Sequence, residues 1–242
     1  MDRCRADFAR RRVTPPPVIP AGRGVRVVAD VHGDARAFAI ACDTDLFVVQ
    51  LGDLVDYGPD SAGALRLALD LTARKAGVFL LGNHDLKLAR ALAGRQVRIN
   101  AALADTIAGL DADLRVAALA AIATAPAWLR WGQIMFVHGG FHTDMLQLPS
   151  ATMASTHAEG ALGRALYGEP TGRIQADGYP ERSLRWVDRI PADLLVYCGH
   201  DRRSTDGRPY SRTGALGGRA VFVDTGAGKG GHLSWIDLPG EG

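Results

Sequence analysis

The chain has 242 residues, 47% of them hydrophobic, 22% charged and 7% aromatic. That composition excludes collagen-like, coiled-coil and disulfide-scaffold classes, and the length fits one domain with room for a large insertion. Lys and Arg number 28 against 26 Asp and Glu, a net charge of +2 that does not by itself imply a nucleic-acid partner.

Charge is uneven along the chain. Residues 1–24 hold six Arg against Asp2 and Asp7, a net of +4, so residues 25–242 sum to −2. Residues 13–20 contain four prolines and read as extended polyproline. Residues 1–24 are therefore expected to be a basic, Pro-rich flexible arm, and residues 25–242 the folded domain. No apolar core follows the basic residues, as a secretory signal would require. The longest apolar stretch, 116–129, is short of the roughly 20 residues of a membrane span and contains Pro126. A membrane partner is not expected. Cys4, Cys42 and Cys198 are far apart and odd in number, which favours a reducing cytoplasm over a disulfide framework. Cys42 and Cys198 read as small buried hydrophobes.

From residue 25 onwards, short β-branched runs alternate with Ala/Leu-rich stretches. Strands are expected at 25–29, 46–51, 77–81, 134–137, 194–197 and 219–223, their apolar runs nearly continuous, as for strands buried on both faces. Helices are expected at 35–41, 62–75, 85–93, 99–108 and 114–123, with Pro59 and Ser61 marking the start of the second. The alternation implies an α/β core. Residues 139–191, rich in Gly, Pro, Thr and Arg, read as a long irregular insertion of the kind that forms functional loops.

Polar residues cluster where those strands end: Asp30-Val-His32, Gly52-Asp53-Leu-Val-Asp56, Gly82-Asn83-His84-Asp85, His138-Gly-Gly, Gly199-His200-Asp201 and Asp224-Thr-Gly. Ligand crevices of open α/β sheets lie outside the carboxyl ends of strands, so the pattern predicts a single site. Asp30 and His32, two apart, project to the same side of a strand, and carboxylate with imidazole suits Mn²⁺, Fe or Zn²⁺. Each block alone is weak, since an isolated Asp-x-His is usually a surface turn. Together they supply two Asp, one Asn and three His, enough for two metals sharing one carboxylate.

The ordered blocks resemble the calcineurin-like metallophosphoesterases, whose pattern runs D-x-H, G-D-x-x-D-x-G, G-N-H-[DE] and then separate His motifs. Here it reads Asp30-Val-His32, Gly52 to Gly58, Gly82-Asn-His-Asp85, Val137-His-Gly-Gly140 and Gly199-His200. The resemblance implies a four-layer α/β/β/α sandwich with two mixed β-sheets. It implies two divalent metal ions, Mn²⁺ foremost with Fe or Zn²⁺ as alternatives. Asp30, His32 and Asp53 would hold one metal, and Asp53, Asn83, His138 and His200 the other. His84 matches the family's catalytic histidine and Asp56 the carboxylate that orients it. Two metals can clamp phosphoryl oxygens and lower the pKa of water to near ~7, while an acid such as His84 typically adds about 10²–10⁴-fold.

One position departs from the family. Protein serine/threonine phosphatases carry Arg in the second block where Tyr57 stands here, and a phenol brings no charge. Arg173, Arg182 and Arg185 are candidate replacements, with Arg182 preferred as the phosphate-binding residue beside Tyr57. Asp224 to Gly231 resembles the D-T-G segment of bacterial phosphatases in this group, dinucleoside tetraphosphate hydrolases among them, and Asp224 would support a ligand histidine from behind. Gly228-Lys229 is not a nucleotide loop of the Walker type, because Gly230 stands where Ser or Thr is required. His142, His157 and His232 match no motif. The function expected is hydrolysis of a phosphomonoester such as a phosphoprotein, the alternative being a phosphoanhydride in a dinucleoside polyphosphate. The partner is thus a phosphorylated protein or nucleotide. A phosphodiesterase or nuclease guided by the basic arm, and a regulator without catalysis, are the rival classes.

Overall fold

The computed structural model describes residues 18–175, 178 and 180–240. Residues 1–17 of the expected arm, with Cys4 and three of its prolines, lie outside the described residues. The packed part of the chain reaches back beyond the expected boundary at Val25. Ile19 is buried in the core, and Arg23 donates to the carbonyls of Asp45 and Leu46.

The chain opens with β1 (Val25–Val28), α1 (Ala35–Cys42), β2 (Phe47–Gln50), α2 (Ser61–Ala73), β3 (Gly77–Phe79) and α3 (Asn83–Leu92). Then come α4 (Ala101–Gly109), α5 (Ala112–Thr124), β4 (Trp128–Trp131) and β5 (Ile134–Val137). The second half holds α6 (Glu159–Tyr167), β6 (Pro170–Ile174), β7 (Pro180–Arg182), β8 (Leu195–Cys198), β9 (Tyr210–Thr213), β10 (Arg219–Phe222) and β11 (Trp235–Leu238). Four of the first five helices start on an Asp or Asn whose side chain accepts a backbone N–H one turn in: Asp34, Asp60, Asn100 and Asp111. Each such cap satisfies a donor that the helix cannot.

Two mixed sheets result. The first runs β11-β1-β2-β3, with β1, β2 and β3 parallel and β11 antiparallel. The second runs β4-β5-β8-β10-β9, with β5, β8 and β10 parallel and both edges antiparallel. Period two divides the side chains of the second sheet. Phe136, Tyr197 and Val221 join the core shared with the first sheet, whereas Met135, Val137, Val196, Cys198, Ala220 and Phe222 join a separate core with Phe141, Ala161, Ala165 and Trp186. The second core lies under α6. Helices α1 to α5 pack on one another, and α2 against β3. This is the expected four-layer α/β/β/α sandwich.

All six expected strands form, but the chain holds more. Edge strands β4, β9 and β11 were not expected; residues 128 and 129 read as the end of an apolar run, and β9 is largely exposed, with no hydrophobic alternation. The insertion at 139–191 is also more regular than expected. It carries a 3-10 turn at Thr143–Leu146, the helix α6, and the β6–β7 hairpin. Gly160 and Gly163 dilute the helical signal of α6, and the hairpin strands bury too little to show a pattern. Cys198 is buried as expected, while Cys42 is only half-buried.

Candidate active site

The carboxyl ends of β1, β2, β3, β5, β8 and β10 bring the polar blocks together. Backbone bonds stitch the ends to each other: Val31 and His32 N–H donate to Asp53 O, and His200 N–H lies 2.9 and 3.0 Å from the two Asp30 oxygens. Among the described residues six non-glycine positions have positive φ, and five are here: His32, Asp53, Asp56, Tyr57 and His200. Such backbone costs about 1–3 kcal/mol each and clusters at functional sites. The neighbouring glycines have a steric reason. A Cβ on Gly82 would strike Asp53, and one on Gly199 would strike Oδ1 of Asp30.

Asp53 lies at the centre. Its Oδ2 is 3.7 Å from His32 Nε2, 3.5 Å from His138 Nε2 and 4.0 Å from His84 Nε2. Two groups of three side chains share it, Asp30–His32–Asp53 and Asp53–His138–His200, each with its donor atoms close enough to surround a cation. Asn83 Oδ1 joins the second group, 3.0 Å from His138 Nε2. All of Asp30, His32, Asp53 and His138 are buried.

Proton positions support a cation rather than an ordinary polar core. His32 Nδ1–H donates to Val55 O at 3.0 Å, so its Nε2 carries a lone pair, and that buried atom has no hydrogen-bond partner. His200 Nε2 is likewise buried and unpartnered. An unpaired buried polar atom costs about 1–3 kcal/mol, which a metal at these nitrogens would remove. Burial pushes the His32 pKa down to about 3, outweighing Asp53, and holds His200 well below its ordinary range, so both imidazoles are neutral, as ligands must be. His138 differs: both nitrogens face carbonyl oxygens, Leu51 O at 2.9 Å and Asn83 Oδ1. Burial opposes its charge, but Asp53 and Asp30 outweigh burial and raise it to about 9. Nδ1–H can stay on Leu51 O while a cation replaces the proton on Nε2. Burial works to raise Asp53 too, yet His138, His84 and His32 hold it well below the carboxylate range. Asp30 is pushed well up by burial and then by Asp224, the expected state of crowded carboxylates awaiting positive charge.

Beside this centre His84 Nδ1 is 2.6 Å from Asp56 Oδ2. Burial lowers the His84 pKa, but Asp53 and Asp56 raise it more, leaving it above the usual imidazole value. Sequence reasoning missed what stands behind this pair. Thr106 Oγ1 on α4 donates to Asp56 Oδ1 at 2.8 Å, and Ser61 Oγ accepts from Asp56 N–H at 3.0 Å. Asp85, named in the third block without a role, accepts the N–H groups of Asp53, Leu54 and Gly82, and Gln50, which the sequence did not single out, ties Ala29 to Gly52. Asp85 was visible as an acid in the first turn of a helix; Thr106 gave no local signal.

The rim is built from Tyr57, Lys229 and the arginines. Tyr57 sits edge-on to His32 at 5.1 Å and tilted against His84 at 5.2 Å, with Lys229 Nζ 4.8 Å from its ring centre. Arg173, Arg182 and Arg185 line a common pocket with Glu169 and Glu181, and the charge of Arg182 acts on His200. Asp224 Oδ1 accepts from Gly226 N–H at 2.8 Å. Its hydrogen bond thus supports the 226–231 loop, and among the described residues it makes none to a histidine. His142 caps the 3-10 turn, and His157 and His232 lie exposed, as expected of residues outside the motifs.

Comparison with known proteins agrees with this geometry. Residues 25–203 match the model of the calcineurin-like phosphoesterase family. A curated bis(5'-nucleosyl)-tetraphosphatase PrpE (asymmetrical) from Geobacillus thermodenitrificans is 26% identical over 238 residues, covering 89% of this chain and 90% of its own. Another of that name, from Halalkalibacterium halodurans, is 28% identical over 217 residues, covering 86% and 77%. A solved protein serine/threonine phosphatase from Saccharomyces cerevisiae shares the fold at 14% identity and a TM-score of 0.61, covering 95% of this chain and 86% of its own. With its family blocks gathered around Asp53 and three quarters of its length matched, the chain belongs to the calcineurin-like phosphoesterases.

Proposed function

We propose that the chain hydrolyses a phosphoanhydride bond of a dinucleoside polyphosphate, using two divalent cations that share Asp53. The observation that carries the hydrolytic reading is the convergence of two three-residue groups on Asp53, with the Nε2 atoms of His32 and His200 buried and unpartnered. The names of the two curated relatives support the substrate. Asp30, His32 and Asp53 would hold one cation, and Asp53, Asn83, His138 and His200 the other; Mn²⁺ suits this mixture of carboxylate, amide and imidazole, as do Fe and Zn²⁺. Cations held there would supply positive charge against the phosphoryl oxygens and lower the pKa of a water.

The chain's own groups do the rest. Nδ1–H bonds to Val55 O and Leu51 O keep His32 and His138 in one orientation. His84, steadied by Asp56, delivers a proton to the leaving oxygen. Arg182 and Tyr57 face the substrate phosphate, and the described residues of the 139–191 insertion form a wall of the groove. One observation favours a second reading, a phosphomonoester such as a phosphoprotein. The His84–Asp56 pair is the acid that an alkoxide needs, whereas a departing nucleotide phosphate is a better leaving group and needs it less.

Mn²⁺-loaded protein should be offered diadenosine tetraphosphate, a phosphoserine peptide and bis(nitrophenyl) phosphate at equal concentration. The proposal requires the highest kcat/KM for the tetraphosphate. Preference for the peptide selects the second reading, and preference for the bis-ester selects a phosphodiesterase.

A further inference from the structure

The sequence reading left Lys229 without a role. The structure holds its loop firmly at the centre's edge. Gly228 has φ +67, and a Cβ there would come within 2.6 Å of His32 O and 2.8 Å of His32 Cβ, so the loop backbone lies directly on a ligand-bearing turn. Asp224 fixes Gly226, the Lys229 N–H donates to Gly226 O at 3.0 Å, and Thr225 Oγ1 donates to His232 O at 2.6 Å. From this anchored loop the ammonium lies 4.8 Å from the Tyr57 ring centre. Tyr57 in turn touches His32 and His84. Among the described residues Lys229 has no ion-pair partner. Its charge favours the ionised carboxylate of Asp224 at the base of the same loop, and by position the ammonium lies at the edge of the centre over Tyr57.

We propose that Lys229 is a specificity-determining residue: from the rim over Tyr57 it grips the phosphate next to the one attacked, favouring a polyphosphate chain over a lone phosphoryl group. This rests on the reading of the Asp53 centre as the hydrolytic site. A phosphoryl group at that centre would already face the two cations the centre would hold. The next phosphate along a chain brings further negative charge and leaves that pocket, and a mobile point charge on a long stem suits it. Of the neighbouring cations, Arg182 lines a pocket with Glu169 and Glu181, and Arg202 packs against Gly226 at the loop's base. Among the described residues Lys229 lies over the Tyr57 ring, which touches both His32 and the acid His84.

The test compares Mn²⁺-loaded wild type with Lys229→Met and Lys229→Arg. Activity is measured on nitrophenyl phosphate and on diadenosine tetraphosphate, and equilibrium binding of inorganic phosphate and of pyrophosphate is measured by calorimetry. Lys229→Met should lower kcat/KM for the tetraphosphate about tenfold or more, as for loss of a charge-assisted hydrogen bond, chiefly through KM. Nitrophenyl phosphate should change by less than about threefold, and Lys229→Arg should keep most of the preference. Wild type should bind pyrophosphate more tightly than phosphate, and Lys229→Met should lose that margin. Equal losses on both substrates, or an unchanged pyrophosphate margin, overturn the proposal. If wild type cleaves neither substrate, the proposed function fails, and the binding arm alone decides for or against Lys229.

Discussion

Thr106→Val removes one hydroxyl, which bonds Asp56 Oδ1 and also pairs with Ser61 Oγ at 3.2 Å, and so tests how the acid is oriented. Thr106 and Asp56 are buried at 4% and 0% exposure, and the 2.8 Å bond between them satisfies the Asp56 oxygen that His84 does not use. Valine fills nearly the same volume but leaves Asp56 Oδ1 without a donor. A hydrogen bond to a charged group contributes about 1.5–3 kcal/mol. In a domain of this size each kcal/mol shifts Tm by roughly 2–4 °C, so the variant should melt about 3–12 °C lower. His84 keeps its own bond to Asp56, so only part of an acid's ~10²–10⁴-fold contribution is at stake. We expect kcat about tenfold lower on an alkyl phosphate, a poor leaving group, and nearly unchanged on nitrophenyl phosphate. Thr106→Ser, which keeps the hydroxyl, should restore kcat. A lowered Tm with undiminished kcat on the alkyl substrate would refute the orienting role and leave Thr106 a packing residue.

Two further outcomes follow from the same geometry. His84→Asn should retain Mn²⁺ binding, measured by titration, while kcat falls about 10²–10⁴-fold on a poor leaving group and far less on a good one; equal losses on both would show that His84 is not the acid. His138 fixes a pH dependence. Its pKa, raised to about 9, stabilises the metal-free fold fully below the unfolded imidazole value of about 6.5. That contribution is lost as pH rises through about 9. A cation must displace the same proton, so Mn²⁺ affinity should climb between about pH 6.5 and 9. An affinity flat across that window would contradict the proton assignment.

The parts of the site that sequence made legible are those where function and local structure coincide. Asp30, Asp53, Asn83, His138 and His200 each follow an apolar strand, so their positions at one sheet end could be read before any contact was known. Their glycines were legible for the same reason, since Gly82 and Gly199 have no room for a side chain against Asp53 and Asp30. What could not be read depends on distance along the chain. Thr106 meets Asp56 from 50 residues away, and nothing in α4 distinguishes its hydroxyl from one that caps or faces solvent. Lys229 carries no local signal beyond its Gly-rich neighbours, because its position over Tyr57 depends on how the 226–231 turn lies on His32. In residues 139–191 the hydrophobic pattern fails because α6 contains interior glycines and the β6–β7 hairpin is exposed. Edge strands are hidden for a related reason: β9 has one sheet neighbour and little burial.

The proposed hydrolysis depends on Asp53 lying between two cations. Crystals of the protein grown with Mn²⁺ and measured on both sides of the manganese absorption edge would locate them directly. Two anomalous peaks should flank Asp53, one beside Asp30 and His32, the other beside Asn83, His138 and His200. A single peak away from Asp53, or none at full metal occupancy in solution, would contradict it.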